Sequence, residues 1–132
     1  MKVTTPNAVS LLSSNVSESL HSEWASGTAY AAGERVYVTL ESDGTTERTP
    51  HRIFESTAGS NTGNYPPGSP SQWVLVGSTN RWRMLDEFVS SQTANGGGID
   101  VTMSVTGDRR AMLGVDANSV QIVSRDSSGT QL

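Results

Sequence analysis

The chain contains no cysteine. That absence excludes disulfide staples, cysteine-ligated zinc, iron–sulfur clusters and thiol catalysis together, and leaves the redox compartment open. Lysine occurs once, as Lys2; 9 Lys and Arg face 13 Asp and Glu, for a formal net charge of −4. With no basic run to neutralise phosphates, nucleic acid is not expected as a partner. Hydrophobic residues make up only 34% of the chain and aromatics 6%. No stretch approaches the roughly 20 apolar residues of a membrane-spanning helix, so no membrane insertion is expected. The opening Met1-Lys2-Val3-Thr4-Thr5-Pro6 lacks the apolar core of a signal peptide, and synthesis in a cytoplasm is expected.

What is abundant is Ser, Thr and Gly: 47 of 132 residues are one of the three. These residues are mediocre in helix interiors and common in turns and on exposed strand faces. The composition therefore points to an all-β chain with a small core. A domain of this size normally buries roughly two-thirds of its unfolded surface. So polar a chain is expected to gain the remainder by oligomerising or by joining a larger assembly.

Four zones are legible. Residues 1–23 are Ser- and Asn-rich, and their Val9, Leu11, Leu12, Val16 and Leu20 fit neither a helical nor a strand period. They read as an arm that packs on something else, or as a short frayed helix. Residues 24–77 are punctuated by aromatics and turn residues and form the first compact unit. Residues 78–98 are a connector ending in the breaker Asn95-Gly96-Gly97-Gly98. Residues 99–132 are strand-like and read as an antiparallel sheet region, the start of a longer β-sandwich.

Period-2 alternation places the strands. Val36, Val38 and Leu40 alternate with Arg35, Tyr37 and Thr39; Asp43-Gly44 turns the chain, and His51–Ser56 returns. Trp73–Val76 is a third strand, reached through an irregular loop holding Pro66-Pro67-Gly68 and Pro70. Ile99, Val101, Met103 and Val105 alternate with polar residues; further strands are expected at Ala111–Val115 and Val120–Val123, with turns at 106–108 and 116–118. Arg125-Asp126-Ser127-Ser128-Gly129 carries a hairpin signal, yet only Thr130-Gln131-Leu132 follow. The missing partner strand is expected in chain beyond Leu132, or alternatively from a neighbouring subunit.

Catalysis finds little support. His21 and His51 lie in different zones, and His51, after Pro50 at a strand start, is expected at a surface or edge. No Gly-x-Ser-x-Gly elbow is present, no pair among the acids is singled out for glycoside hydrolysis, and Asp43–Glu47 lacks the spaced oxygens of a calcium loop. The triple glycine is not followed by the Lys-Ser/Thr of a phosphate loop. No enzyme activity, cofactor or metal is expected.

The order Trp24, Gly27–Tyr30, Gly33–Val38, Arg52–Ser56, Gly63–Pro67 and Trp73 resembles the small chitin-binding type of carbohydrate-binding module. The resemblance covers residues 24–77 and implies a compact three-stranded unit. On that reading Trp24, Tyr30, Phe54 and Trp73 are its core aromatics. Sugar in such modules is usually gripped by aromatics just after the second strand, where Glu55–Asn61 has none. The glycan-contacting residues implied are then Tyr65, with Asn64, Asn61 and Gln72 beside it, and Tyr37 on the outer face of its strand. An exposed Tyr65 of this kind would tolerate truncation to alanine; the other reading is that, next to Pro66 and Pro67, it staples its loop.

A wider resemblance spans nearly the whole chain. Lys2–Pro6, Glu23–Tyr37, His51–Ser56, Thr62–Asn64, Gly77–Asp86, Ser90–Thr93 and Ile99–Val105 resemble the N-terminal part of bacteriophage tail-associated proteins, with a small departure at Leu85. This implies a non-enzymatic structural component of a virion tail, an adaptor, tail-tip or decoration protein. The implied partners are other tail proteins and copies of itself. The alternative is a host-surface glycan-binding module of the same tail, with host cell-surface polysaccharide as its partner. In the Arg81–Phe88 segment, Trp82, Leu85 and Phe88 are expected on the seam between module and sheet. Arg81, Arg83 and Asp86 would then pair across it, with Glu87 as a further partner; a ligand-platform role for Trp82 is the other possibility.

Overall fold

The computed structural model describes residues 9–18, 20–86, 90–105, 119–126 and 128–131. Strands and short 3-10 turns account for all of its regular structure, so the fold is all-β. Among the described residues, six strands run in chain order: β1 (Val9–Ser14), β2 (Ser22–Glu23), β3 (Arg35–Leu40), β4 (Glu47–Ser56), β5 (Trp73–Ser78) and β6 (Val101–Val105). They make a four-stranded sheet ordered β2-β3-β4-β5 and a two-stranded sheet pairing β1 with β6.

Alternation builds the larger sheet. Val36 and Val38 of β3 turn inward, and β4 runs antiparallel beside it with Phe54 opposite Val36 and Ile53 opposite Tyr37. β4 starts earlier than its apolar pattern, at Glu47, because Glu47 pairs with Leu40 and Arg48 Nη1 donates to both carboxylate oxygens of Glu41 at 2.9 Å. Pro50, which has no N–H for a ladder, falls in the register shift between Val38 and Leu40, where a missing donor breaks nothing. β5 continues the sheet antiparallel to β4, with a bulge between Leu75 and Gly77. The unit expected to be three-stranded gains a fourth, two-residue strand, since Ser22 and Glu23 pair parallel with Val36 and Tyr37.

The two faces of this sheet are covered differently. On one, Tyr30, Val36, Val38, Phe54 and Trp73 form a buried cluster against which Trp24 and Tyr65 pack. Tyr30 and Trp73 meet edge to face, with ring centroids 5.3 Å apart. Such aromatic pairs add about 0.5–1.5 kcal/mol beyond their burial. On the other, His51 and Ile53 alternate away from Phe54; the His51 ring tilts against Trp82 and its carbonyl accepts the Thr79 amide at 3.1 Å, and Val16, Ile53, Thr79 and Trp82 are all buried.

Where the sequence suggests an arm or frayed helix over residues 1–23, the described part of that segment holds two strands, β1 and β2. β1 pairs antiparallel with β6, Val9 opposite Val105 and Ser14 opposite Val101. Val16 is 1% exposed. The mismatch of Val9, Leu11, Leu12 and Val16 to any period has a physical cause: a register shift between Leu11 and Ser13 inserts a residue into β1. A bulge of this kind reverses the side-chain alternation beyond it.

The sheet region expected over 99–132 differs as well. β6 is there, but its partner is β1 rather than a following hairpin. Val120–Val123 forms no strand, and Val120, Ile122 and Val123 are exposed. The hairpin signal after Arg125 does close a turn: Arg125 and Gln131 form an antiparallel bridge, and Asp126 Oδ1 accepts from the Ser128 and Thr130 amides at 2.9 Å. The strand expected at Ala111–Val115, the turns at 106–108 and 116–118, and the expected roles of Glu87 and Phe88 lie outside the described residues.

Candidate functional site

The loop from Ser56 to Trp73 holds four of the five residues implied in glycan contact, and its hydrogen bonds run inward. Asn61 is 3% exposed. Its Nδ2 donates to Ser56 Oγ at 3.0 Å and to the Gln72 carbonyl at 3.2 Å, while Oδ1 accepts from Asn64 Nδ2 at 2.8 Å. Its backbone exchanges two 3.0 Å bonds with Tyr30. Asn61 is therefore the knot that ties the loop to the core. Asn64 is half-buried, and its carbonyl accepts the Trp73 indole N–H at 2.9 Å. Gln72 is half-buried, and its carbonyl also takes the Thr57 amide at 2.9 Å.

Tyr65 is half-buried as well. Its hydroxyl donates to the Leu40 carbonyl at 2.8 Å and lies 3.2 Å from Glu41 Oε2. Burial and the Glu41 carboxylate push the phenol above the ordinary tyrosine range. Its ring meets Trp24 edge to face at 5.5 Å. Tyr65 thus staples the proline loop to the β3–β4 hairpin, and truncation there removes packing and a hydrogen bond. Of the two expectations for Tyr65, these contacts are the ones a loop staple makes.

Tyr37 stands apart from the other four. It alternates with Val36 and Val38, so its side chain leaves on the opposite face of β3 from the cluster that Tyr65 joins. Burial and the nearby Glu23 and Glu18 raise its pKa. Of the aromatics expected to be structural, Tyr30, Phe54, Trp73 and Trp82 are buried and Trp24 is half-buried.

Among the described residues, a dense cluster of chemistry-bearing side chains lies on the other face and centres on His51. His51 is 6% exposed rather than at a surface. Its Nδ1 lies 2.9 Å from Glu18 Oε1, its Nε2 3.5 Å from Glu47 Oε1, and its ring tilts against Trp82 with centroids 5.2 Å apart. Glu18 also takes Arg81 Nη1 at 2.8 Å on the same oxygen, and its Oε2 accepts from Thr79 Oγ1 at 2.7 Å. Burial works against the charge on Glu18, but the hydrogen bonds from His51 and Thr79 and the charges of His51 and Arg81 outweigh it. The carboxyl is held below the usual glutamate range.

Arg81 therefore pairs with Glu18 of the N-terminal segment, and its Nε donates to the Val16 carbonyl at 2.9 Å. Arg83 Nε donates to the Ser78 carbonyl at 3.4 Å, and Asp86 Oδ1 accepts from Ser91 Oγ at 2.6 Å. The sequence does hold a sign of His51's burial. In His51-Arg52-Ile53 the histidine shares its strand face with the apolar Ile53. Nothing in the sequence pairs it with Glu18, which arrives from a distant segment.

The network around Glu18 fastens residues 16–18 and 79–82 to β4. Among the described residues, no group of three or more His, Asp or Glu is placed to hold a metal ion. No described helix is long and apolar enough to cross a membrane. An open groove of about 630 Å³ borders this face, lined by Leu20, His21, Ile53, Asn80, Arg83 and Asn95 among others. Asn80 is occupied there, donating to the Ala94 carbonyl at 2.8 Å and accepting the Ala94 amide at 3.0 Å.

No protein-family model matches the chain, and no curated protein and no solved structure matches it.

Proposed function

We propose that this chain is a non-enzymatic structural component of a bacteriophage tail, an adaptor or decoration protein that associates with copies of itself and with other tail proteins. It is made in the host cytoplasm and resides in the virion. The sequence resemblance supplies the context, and one structural observation carries the adaptor role. Edge strand β5 leaves Val74, Leu75 and Val76 exposed at 49%, 48% and 43%, three consecutive apolar residues on a strand with no charged side chain. Natural edge strands are usually blunted by charges or proline. A bare apolar edge on an otherwise acidic, polar chain is a place where a second copy docks without like-charge repulsion.

The alternative, a host-glycan binder, is less well supported. Tyr65, Asn61 and Asn64 spend their polar groups on one another and on the backbone. Tyr37 faces the other way.

Sedimentation of the purified chain tests the association. The wild type is expected to self-associate, and the double variant Val74→Lys, Val76→Lys to sediment as a monomer with unchanged circular dichroism. Antibody–gold labelling and mass spectrometry of purified particles test the setting. Gold on the tail shaft or collar is the expected result. A chain absent from particles by mass spectrometry would overturn the proposal, and gold confined to a host-facing tip together with glycan binding would favour the alternative.

A further inference from the structure

We infer that Asn95–Gly96 is a self-modification site, where the asparagine converts to aspartate and isoaspartate in the folded protein. No other asparagine in the sequence precedes glycine. The chemistry needs three things: a side-chain amide carbon within reach of the next backbone nitrogen, no side chain on that next residue, and water.

The Asn-Gly dipeptide supplies the first two, since the amide carbon of an asparagine can close a five-membered ring with the next backbone nitrogen and glycine has no side chain. The structure supplies the third: Asn95 and Gly96 are both exposed. The Asn95 side chain reaches forward over its own turn, Nδ2 donating to the Gly98 carbonyl at 2.6 Å. The Gly96 nitrogen, losing its proton to solvent base, attacks Cγ of Asn95. The N–Cγ bond forms, the Cγ–Nδ2 bond breaks, and ammonia leaves a five-membered imide. Water then adds to either imide carbonyl and reopens the ring, giving aspartate by one route and isoaspartate by the other.

The consequence follows from what the amide holds. The Gly98 carbonyl is clamped twice, by Asn95 Nδ2 and by Asn15 Nδ2 at 3.2 Å. Asn15 in turn accepts the Asp100 amide at 2.9 Å and donates its own amide to the Asp100 carbonyl at 3.1 Å. This clamp closes the end of the β1–β6 pair. A carboxylate at position 95 turns one of its donors into a charged acceptor aimed at a carbonyl oxygen. Isoaspartate adds a methylene to a turn that Asn80 holds fixed at Ala94. Either product releases the clamp while leaving the four-stranded sheet untouched.

Peptide mass spectrometry of the folded wild-type chain, incubated in mildly alkaline buffer at physiological temperature, reads the reaction directly. Isoaspartate and aspartate are expected to accumulate at Asn95 and at no other asparagine. Gly96→Ala is a clean control: a methyl group there meets nothing within 4 Å, and Gly96 is not among the positive-φ glycines. It is expected to slow conversion many-fold with the melting temperature unchanged. Asn95→Asp, the synthetic product, is expected to speed hydrogen exchange at the Asn15 and Asp100 amides and not in β3–β5. Three results would overturn the inference: an intact Asn95 in the folded chain while the excised peptide converts, equal rates in wild type and Gly96→Ala, or unchanged exchange in Asn95→Asp.

Discussion

The two faces of the four-stranded sheet are held by different physics. One is aromatic and aliphatic: Tyr30, Val36, Val38, Phe54 and Trp73, with Trp24 and Tyr65 at its margin. Its polar contacts are short-range within residues 24–77: the Trp73 indole donates to the Asn64 carbonyl, the Tyr65 hydroxyl to the Leu40 carbonyl, and the Tyr30 hydroxyl accepts the Ala25 amide. The other is built on charge: His51 between Glu18 and Glu47, with Arg81 and Thr79 on the same Glu18 carboxylate and Trp82 as a lid. The first face closes a local unit from residues 24–77. The second brings in residues 16–18 and 79–82 from outside it. Burying ions costs desolvation that only close partners offset, so the second face is the one that pH and single charge changes can open.

Substitutions that separate the faces make this testable. The largest effect is expected for Trp73→Ala: the ring is 2% exposed, and removing a buried tryptophan costs about 3–5 kcal/mol. Thermal melting should show the local unit unfolded, and a parental melt would place Trp73 outside the core. Glu18→Gln comes next. Hydrogen bonds to charged groups contribute about 1.5–3 kcal/mol, and the variant is expected to lose that order of stability in denaturant titration.

The acid limb sharpens the contrast. Because the Glu18 carboxyl is held below its ordinary value of 4.5, folding is stabilised at pH above that value. The contribution is lost as pH falls through the lower, folded-state pKa. Stability measured against pH should therefore fall in this acid window in the wild type, and less steeply in Glu18→Gln.

Tyr65→Phe probes the margin of the aromatic face. It removes the hydroxyl bond to the Leu40 carbonyl and should cost about 1 kcal/mol, with little change in pH dependence. The smallest effect is expected at Asp43. Its exposed carboxylate, lowered to about 2 by the Thr46 hydroxyl and by the Thr46 and Thr45 amides, orders only the β3–β4 turn. Asp43→Ala should speed amide exchange at Thr45 and Thr46 and leave the melting temperature nearly in place.

The same contrast explains what could be read from the sequence. Strict alternation in Arg35–Leu40, the Asp43-Gly44 turn and the closing Trp73 are local signals, and they place β3, β4, β5 and the aromatic face. The charged face was out of reach for physical reasons. The bulge in β1 breaks the period of Val9, Leu11 and Leu12, so the segment reads as a polar arm. His51 reads as an edge residue because its partners, Glu18 and Arg81, come from far along the chain, and no local pattern encodes that meeting. The two prolines after Tyr65 allow a staple as readily as a sugar platform, and the sequence does not name its partner, the Leu40 carbonyl across the hairpin. Val120–Val123 has strand composition without a paired strand among the described residues, which composition cannot show.

The most direct test of the two-face account is native-state hydrogen exchange across the acid limb, read residue by residue. As pH falls through the titration of Glu18, Val16, Thr79 and Trp82 should lose protection while Val36, Phe54 and Trp73 keep theirs. Simultaneous loss at both sets, or protection at Val16 and Thr79 that is indifferent to pH, would contradict it.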